Sequence, residues 1–206
     1  MVSLMFSPAK ASAITGIPVK IVQKAIDTGA IPECSTDRHR RYVSNAGLIC
    51  LKLQANGLSK LPLALRKTIF REVCRQPRAR AIRLGGGAMM IELSGARREL
   101  AAGLMELRRA EQIVDCNPNI LGGIPVFRGT RVPVHLIADM ANSGVPVSEI
   151  LENYPSLNED QVTLSAVYAK AYPKRGRPPV QPWSEKRVLR RTRRLIKPCR
   201  LEASNG

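Results

Sequence analysis

Three groups of side chains in this sequence are placed to do chemistry, and all three suit a polyanion. Lys20, Gln23 and Lys24 recur at the spacing of one helix face, where lysine neutralises phosphate and glutamine pairs with base edges. Arg38-His39-Arg40-Arg41-Tyr42-Val43 is a basic stretch that alternates into apolar positions, the pattern of a short hairpin whose cations reach phosphates. The third group lies near the C-terminus. Between Lys170 and Arg200 there are twelve Lys and Arg against one acid, Glu185. Within that run, Lys174-Arg175-Gly176-Arg177-Pro178 combines a flat glycine backbone, an extending proline and two arginines, which suits a narrow, negative minor groove.

The whole chain agrees with this charge. Its 206 residues carry 33 Lys and Arg against 16 Asp and Glu, a net +17, with a pI near 10.5, so phosphate contact with counterion release is the expected mode of binding. No Ser/His/Asp set, Cys/His pair, dinucleotide fingerprint or metal cluster stands in the sequence, which points away from an enzyme and predicts neither catalytic residue, metal nor cofactor. Gly85-Gly86-Gly87 is followed by no Gly-Lys-Ser/Thr, so it is not a phosphate loop. His39 reads as a hairpin residue, not a ligand. Five cysteines without a Cys-x-x-Cys pair fit a reducing compartment. Met1 to Pro8 lacks a basic n-region and a long apolar run, and no stretch approaches the roughly 20 apolar residues of a membrane span. A cytoplasmic protein without a membrane partner is expected.

Positioning these side chains requires short helices. Ser7-Pro8 is a helix start and Gly16 a stop; Pro18 opens a second helix with Val19, Val22 and Ile26 as its inward face, ended by Gly29. Helix, glycine turn and helix in this compass is the helix-turn-helix pattern. Asn45 begins a helix bearing Leu48, Leu51 and Leu53. The order from the first helix through Thr15-Gly16-Ile17-Pro18 to His39-Arg40-Arg41-Tyr42-Val43 resembles the winged helix-turn-helix of the MerR and excisionase type. That resemblance implies a second helix in the major groove, with Pro18, Lys20, Gln23 and Lys24 facing DNA and Arg38, Arg40, Arg41 and Tyr42 on the wing.

Beyond residue 57, Leu65, Ile69 and Val73 mark an amphipathic helix with Arg66, Lys67 and Arg71 outside it. Ile82 and Leu84, then Met89, Ile91 and Leu93, alternate around the three glycines as a hairpin. Ser94 is the expected cap of a helix striped by Leu100, Leu104 and Leu107, which makes a dimer contact or packs onto its neighbours.

Asp115-Cys116-Asn117-Pro118 through Gly129-Thr130-Arg131-Val132-Pro133-Val134 is a series of turns and a short strand, Pro125–Phe127. Three helices follow: one with Leu136, Ile137 and Met140, one around Ile150, and one capped by Asn158 with Val162, Leu164, Val167 and Tyr168 apolar. Arg128 and Arg131 flank the glycine turn, either to meet phosphates or to brace the turn through carbonyl bonds. Glu159 and Asp160 at the start of the third helix repel phosphate, which favours dimerisation over groove reading. His135 and Asp139, four apart, read as a surface pair.

This segment closely resembles the domain of unknown function 433. The resemblance implies a VapB-like antitoxin that represses its own operator as a homodimer on double-stranded DNA and neutralises an adjoining PIN-like ribonuclease toxin by direct contact. Such nucleases hold Mg²⁺ with acidic residues, so Arg190, Arg191, Arg193 or Arg194 could enter that acidic site. The tail motif around Arg175, Gly176 and Arg177 resembles an AT-hook. The expected fold is mainly α: two helix-turn-helix domains with a small β-hairpin or wing and a basic C-terminal tail, divided as 1–56, 57–113, 114–172 and 173–206. A stand-alone regulator or excisionase-like architectural factor is the alternative. An RNA-associated basic protein is a third reading, disfavoured by only 4% aromatic residues for stacking on bases.

Overall fold

The short first helix meets a long one from the middle of the chain, and that meeting organises everything else. The computed structural model describes residues 5–31, 34–37 and 40–174; they lie within one unit of contacts, Met1–Lys174. The architecture is mainly α, with small antiparallel strand pairs. No helix among the described residues is long and apolar enough to cross a membrane.

Strand β1 (Met5–Phe6) leads into α1 (Pro8–Thr15). The Ser7 hydroxyl accepts from the Lys10 amide at 3.3 Å and Pro8 fills the first turn, satisfying donors that a helix start leaves open. Gly16 ends the helix at φ 76°, a left-handed conformation that glycine adopts without steric cost. Helix α2 (Val19–Asp27) follows, then β2 (Cys34–Asp37), β3 (Arg40–Ser44) and α3 (Asn45–Ala55). The sheet order is β1-β3-β2, with Phe6 opposite Val43 and Ser35 opposite Tyr42. Ser44 caps α3 by accepting from the Gly47 amide at 3.1 Å.

Helix α4 (Leu63–Arg75), the hairpin β4 (Ala81–Leu84) and β5 (Met89–Glu92), and α5 (Ser94–Gln112) complete the first cluster. In α5, Ala96, Leu100 and Leu107 are buried and Leu104 packs against the same cluster. The leucine stripe is therefore used within the chain. Its start differs from the sequence reading. Leu93 occupies the cap position without a side-chain bond, and the Ser94 hydroxyl goes to the Glu92 carboxylate instead, because β5 runs straight into the helix and delivers that acid beside it.

The pair β6 (Val114–Asp115) and β7 (Val126–Phe127) opens the second cluster, followed by α6 (Val134–Asn142), α7 (Val147–Asn153) and α8 (Glu159–Ala171). Phe127, Val134, Ile137, Ile150 and Val162 are its interior. Asn158 and Gln161 form a reciprocal capping box at the start of α8, at 2.8 and 2.9 Å, an arrangement worth about 1 kcal/mol to the helix.

Helix α1 packs against both α5 and α8, which also pack on each other. At the α1–α5 crossing Gly103 is the critical position: a Cβ there would stand 2.2 Å from the Ile14 carbonyl oxygen. Lys10 and Glu111 pair at 3.1 Å beside the same crossing. Two expected inward residues face out instead. Val19 and Leu136 are 37% and 41% exposed, each in a short helix whose interior is filled by other residues, Val22 and Ala25 in α2 and Val134, His135, Ile137 and Ala138 in α6.

The two glycines of α5 should respond oppositely to alanine. Gly95 has open space around a new Cβ, so Gly95→Ala is neutral or stabilising by up to about 1 kcal/mol through helix propensity. Gly103→Ala must push two backbones apart and should lose roughly 1–3 kcal/mol net, as overpacked sites do. Thermal melts of the two variants moving in the same direction would remove the crossing from its central role.

Candidate nucleic-acid interface

The turn between α1 and α2 is fixed by hydroxyls. Ser12 Oγ donates to the Ile17 carbonyl at 2.6 Å and Thr15 Oγ1 to the Ala11 carbonyl at 2.6 Å; Thr15 Oγ1 also accepts from the Ile17 amide at 3.3 Å. Both residues are buried. Lys52 of α3 donates to the Thr15 carbonyl at 3.2 Å and pairs with Glu99 of α5 at 2.7 Å. The angle at which α2 leaves the turn is thus set by polar groups satisfied inside the fold, whose loss would leave buried donors and acceptors unpaired.

Helix α2 presents a mixed outer surface. Val22 and Ala25 are buried, while Pro18, Lys20, Gln23 and Lys24 are all exposed. The structure therefore brings these four predicted residues together at the start and along one side of one helix. Beside them, Arg41 Nη1 of β3 lies 2.7 Å from Asp27 Oδ1 at the end of α2. This ion pair ties the hairpin to the helix and engages one of the predicted wing cations. Tyr42 is half-buried, opposite Ser35. Arg40 is described through its place in β3, opposite Asp37; Arg38 lies outside the described residues.

Arg128 and Arg131 are exposed, on a loop of the second cluster, whereas α2 packs around the first. The turn between them is braced by Thr130, whose hydroxyl donates to the Phe127 carbonyl at 2.9 Å and accepts from the Val132 amide at 3.1 Å. Neither arginine is needed for that bracing. Lys174 pairs with Asp139 at 2.6 Å. Arg175, Gly176, Arg177, Arg190, Arg191, Arg193 and Arg194 lie outside the described residues. At the head of α8, Asp160 receives Arg109 of α5 at 2.7 Å, so one of the acids read as hostile to phosphate is an anchor between helices.

A second polar constellation escaped the sequence reading. Tyr172 donates to Glu111, Lys10 lies 4.7 Å from the centre of the Tyr172 ring, and Tyr172 stacks on Tyr168 at 4.7 Å. Burial alone depresses the Lys10 ammonium, but its hydrogen bonds to Tyr172 and Glu111 outweigh this and hold its pKa above the ordinary value. Burial raises the Tyr172 phenol, aided by Glu111, and raises Tyr168, aided by Cys116. Tyr168 and Tyr172 are four apart, but Lys10, Glu111 and Tyr172 are separated by 101 and 61 residues, and no local spacing announces their meeting. His135 also differs from expectation. It is 9% exposed, tilted against the Tyr168 ring at 6.0 Å, because α6 packs on α8 along this side; Asp139 is exposed and takes Lys174.

Residues 114–169 match the family model described as "Protein of unknown function (DUF433)". Over 191 residues, covering 85% of each chain, the sequence is 31% identical to "Uncharacterized protein y4eO" of Sinorhizobium fredii (strain NBRC 101917 / NGR234). No solved structure matches.

The buried imidazole has a measurable consequence. Burial, reinforced by the Lys174 charge and opposed by Asp139, lowers the His135 pKa in the folded state. A depressed value means that the native state resists the proton, so its contribution is complete above the unfolded value near 6.5 and is lost as pH falls below it. Melting temperature should fall as pH drops below about 6.5 in the parent protein and fall less in His135→Gln. Parallel profiles would show that His135 titrates normally.

Proposed function

This chain belongs to the family of the Sinorhizobium fredii protein y4eO, and from that premise we propose that it is a DNA-binding regulator of the antitoxin type. It reads double-stranded operator DNA through α2 and the β2–β3 wing. The observation that carries this reading is the exposed set Pro18, Lys20, Gln23 and Lys24 on a helix whose exit angle is locked by Ser12 and Thr15 and whose end is ion-paired to the hairpin. A helix fixed at its start by a buried polar turn and tied at its end by an ion pair, with lysines flanking an amide side chain, is suited to the major groove: the cations take phosphates and Gln23 takes the N6 and N7 edge of adenine. The net charge of +17 supplies the sequence-independent part of the affinity. The protein acts in the cytoplasm as a homodimer, without a cofactor.

The antitoxin part of the reading rests on the resemblance of the second domain to antitoxins of toxin–antitoxin pairs; the family model that residues 114–169 match is described only as a protein of unknown function. The second cluster is the element shared with that family, and in this proposal it joins the dimer and meets a PIN-like toxin. The basic tail adds minor-groove contacts through Arg175 and Arg177 and offers Arg190, Arg191, Arg193 and Arg194 to the toxin's acidic site.

Two experiments test the proposal. Fluorescence anisotropy would compare duplex from upstream of the protein's own gene with a scrambled duplex. Gln23→Ala should cost about 1–3 kcal/mol on the native site only, and Lys20→Ala with Lys24→Ala should weaken both duplexes alike. A parent protein blind to the difference between the two duplexes would defeat the operator reading. Co-expression with the protein encoded by the adjoining gene should yield a stoichiometric complex and relieve the growth arrest that protein causes alone. Absence of both effects would leave a regulator without a toxin.

A further inference from the structure

A second basic surface lies away from α2, and the function proposed above does not use it. Between Arg66 and Arg83 there are seven Lys and Arg against one acid, Glu72. That acid is already committed: Arg75 lies 3.4 Å from it and Gln76 also bonds to it. In α4, Ile69, Phe70 and Val73 face the core, and Lys67, Arg71 and Arg75, all exposed, form a row at four-residue spacing on the other side. Successive members of such a row stand roughly 6 Å apart along the helix axis. Like charges at this spacing destabilise a helix, and among the described residues Lys67 and Arg71 have no ion-pair partner to offset it.

The run of cations continues past the helix. The connection to β4 is fixed by the Ala79 amide on the Gln76 carbonyl at 3.1 Å and by Arg97 on the Pro77 carbonyl at 2.6 Å. It carries Arg78 and Arg80, both exposed, onto a hairpin that itself packs against α4. Ile82 is buried, so Arg83, its neighbour on the strand, projects from the opposite face, across from the exposed Met90. The result is a braced, strongly basic surface with almost no aromatic content, whose two acids are engaged, Glu72 by Arg75 and Glu92, on the same hairpin face as Arg83, by the Ser94 hydroxyl. It lacks the stacking groups that bind splayed bases, its cations outnumber its carboxylates, and a line of closely spaced anions is its electrostatic complement.

We infer that the outer row of α4 and the adjoining β4 face form a second, sequence-independent phosphate-contacting surface for duplex DNA, separate from α2. This rests on the DNA-binding reading above and extends it. The surface lengthens the footprint and steepens the salt dependence without contributing to base choice.

The test uses the full-length chain and a random-sequence duplex, with affinity measured from 50 to 200 mM salt. Lys67→Gln, Arg71→Gln and Arg83→Gln are combined in one variant, and Lys67→Arg, Arg71→Lys and Arg83→Lys in a charge-preserving control. The neutral variant should lower the slope of log affinity against log salt by about 0.9 for each phosphate that is no longer neutralised, roughly 2.7 in all. Its preference for the native site over the random duplex should stay unchanged, and the control should keep the parent slope. An unchanged slope in the neutral variant overturns the inference and leaves the face to an acidic protein partner, while the DNA reading stands. A slope that also drops in the charge-preserving control overturns it as a matter of folding, not charge. A parent protein that binds no duplex removes both the inference and the reading beneath it.

Discussion

The α1–α5 crossing brings backbone to backbone, and the fold depends on how close it is. With no side chain at Gly103, the Ile14 carbonyl can sit where any other residue would place a Cβ. That approach seats α1 simultaneously on α5 and α8. Around it the polar contacts are arranged as fasteners: Lys10 to Glu111, Tyr172 to Glu111, Lys52 to Glu99 and Arg109 to Asp160. Individually, exposed ion pairs contribute about 0–1 kcal/mol. The crossing is held chiefly by the apolar surface of Ile14, Leu100, Leu107 and their neighbours, with the charges setting orientation.

Much of the local structure was legible in the sequence because it is written in short-range chemistry. Ser7-Pro8, Gly16, the alternation around Gly85-Gly86-Gly87 and the Asn158 cap each specify a start, stop or turn within four residues, and the structure places elements accordingly. The positions that face the other way, Val19 and Leu136, sit in nine-residue helices, too short for periodicity to determine which of two apolar rows is buried. Ser94 does not cap its helix because a cap depends on the residues before it, here the Glu92 carboxylate arriving from β5.

Among the candidate interface residues, the row Pro18, Lys20, Gln23 and Lys24 was visible because outward position on an amphipathic helix follows from spacing alone. The groups that aim the row were not. Ser12 and Thr15 look like ordinary helix-interior polar residues, and only burial reveals that their hydroxyls close the turn. The Arg41–Asp27 pair and the Lys10–Glu111–Tyr172 contacts are tertiary, joining residues that no short window along the chain contains.

The eight residues of α1 are shared property. One end turns into α2 through a locked corner, and its body rests on α8, the last helix of the second cluster. A short rigid element with two such attachments is a lever, and levers transmit in both directions. Whatever shifts α1 on its apolar seat also shifts the corner from which α2 projects. Reciprocity then requires that occupancy at α2 change the ease of that displacement by the same factor. Two events at opposite ends of α1 are therefore linked thermodynamically, with no need for a common surface.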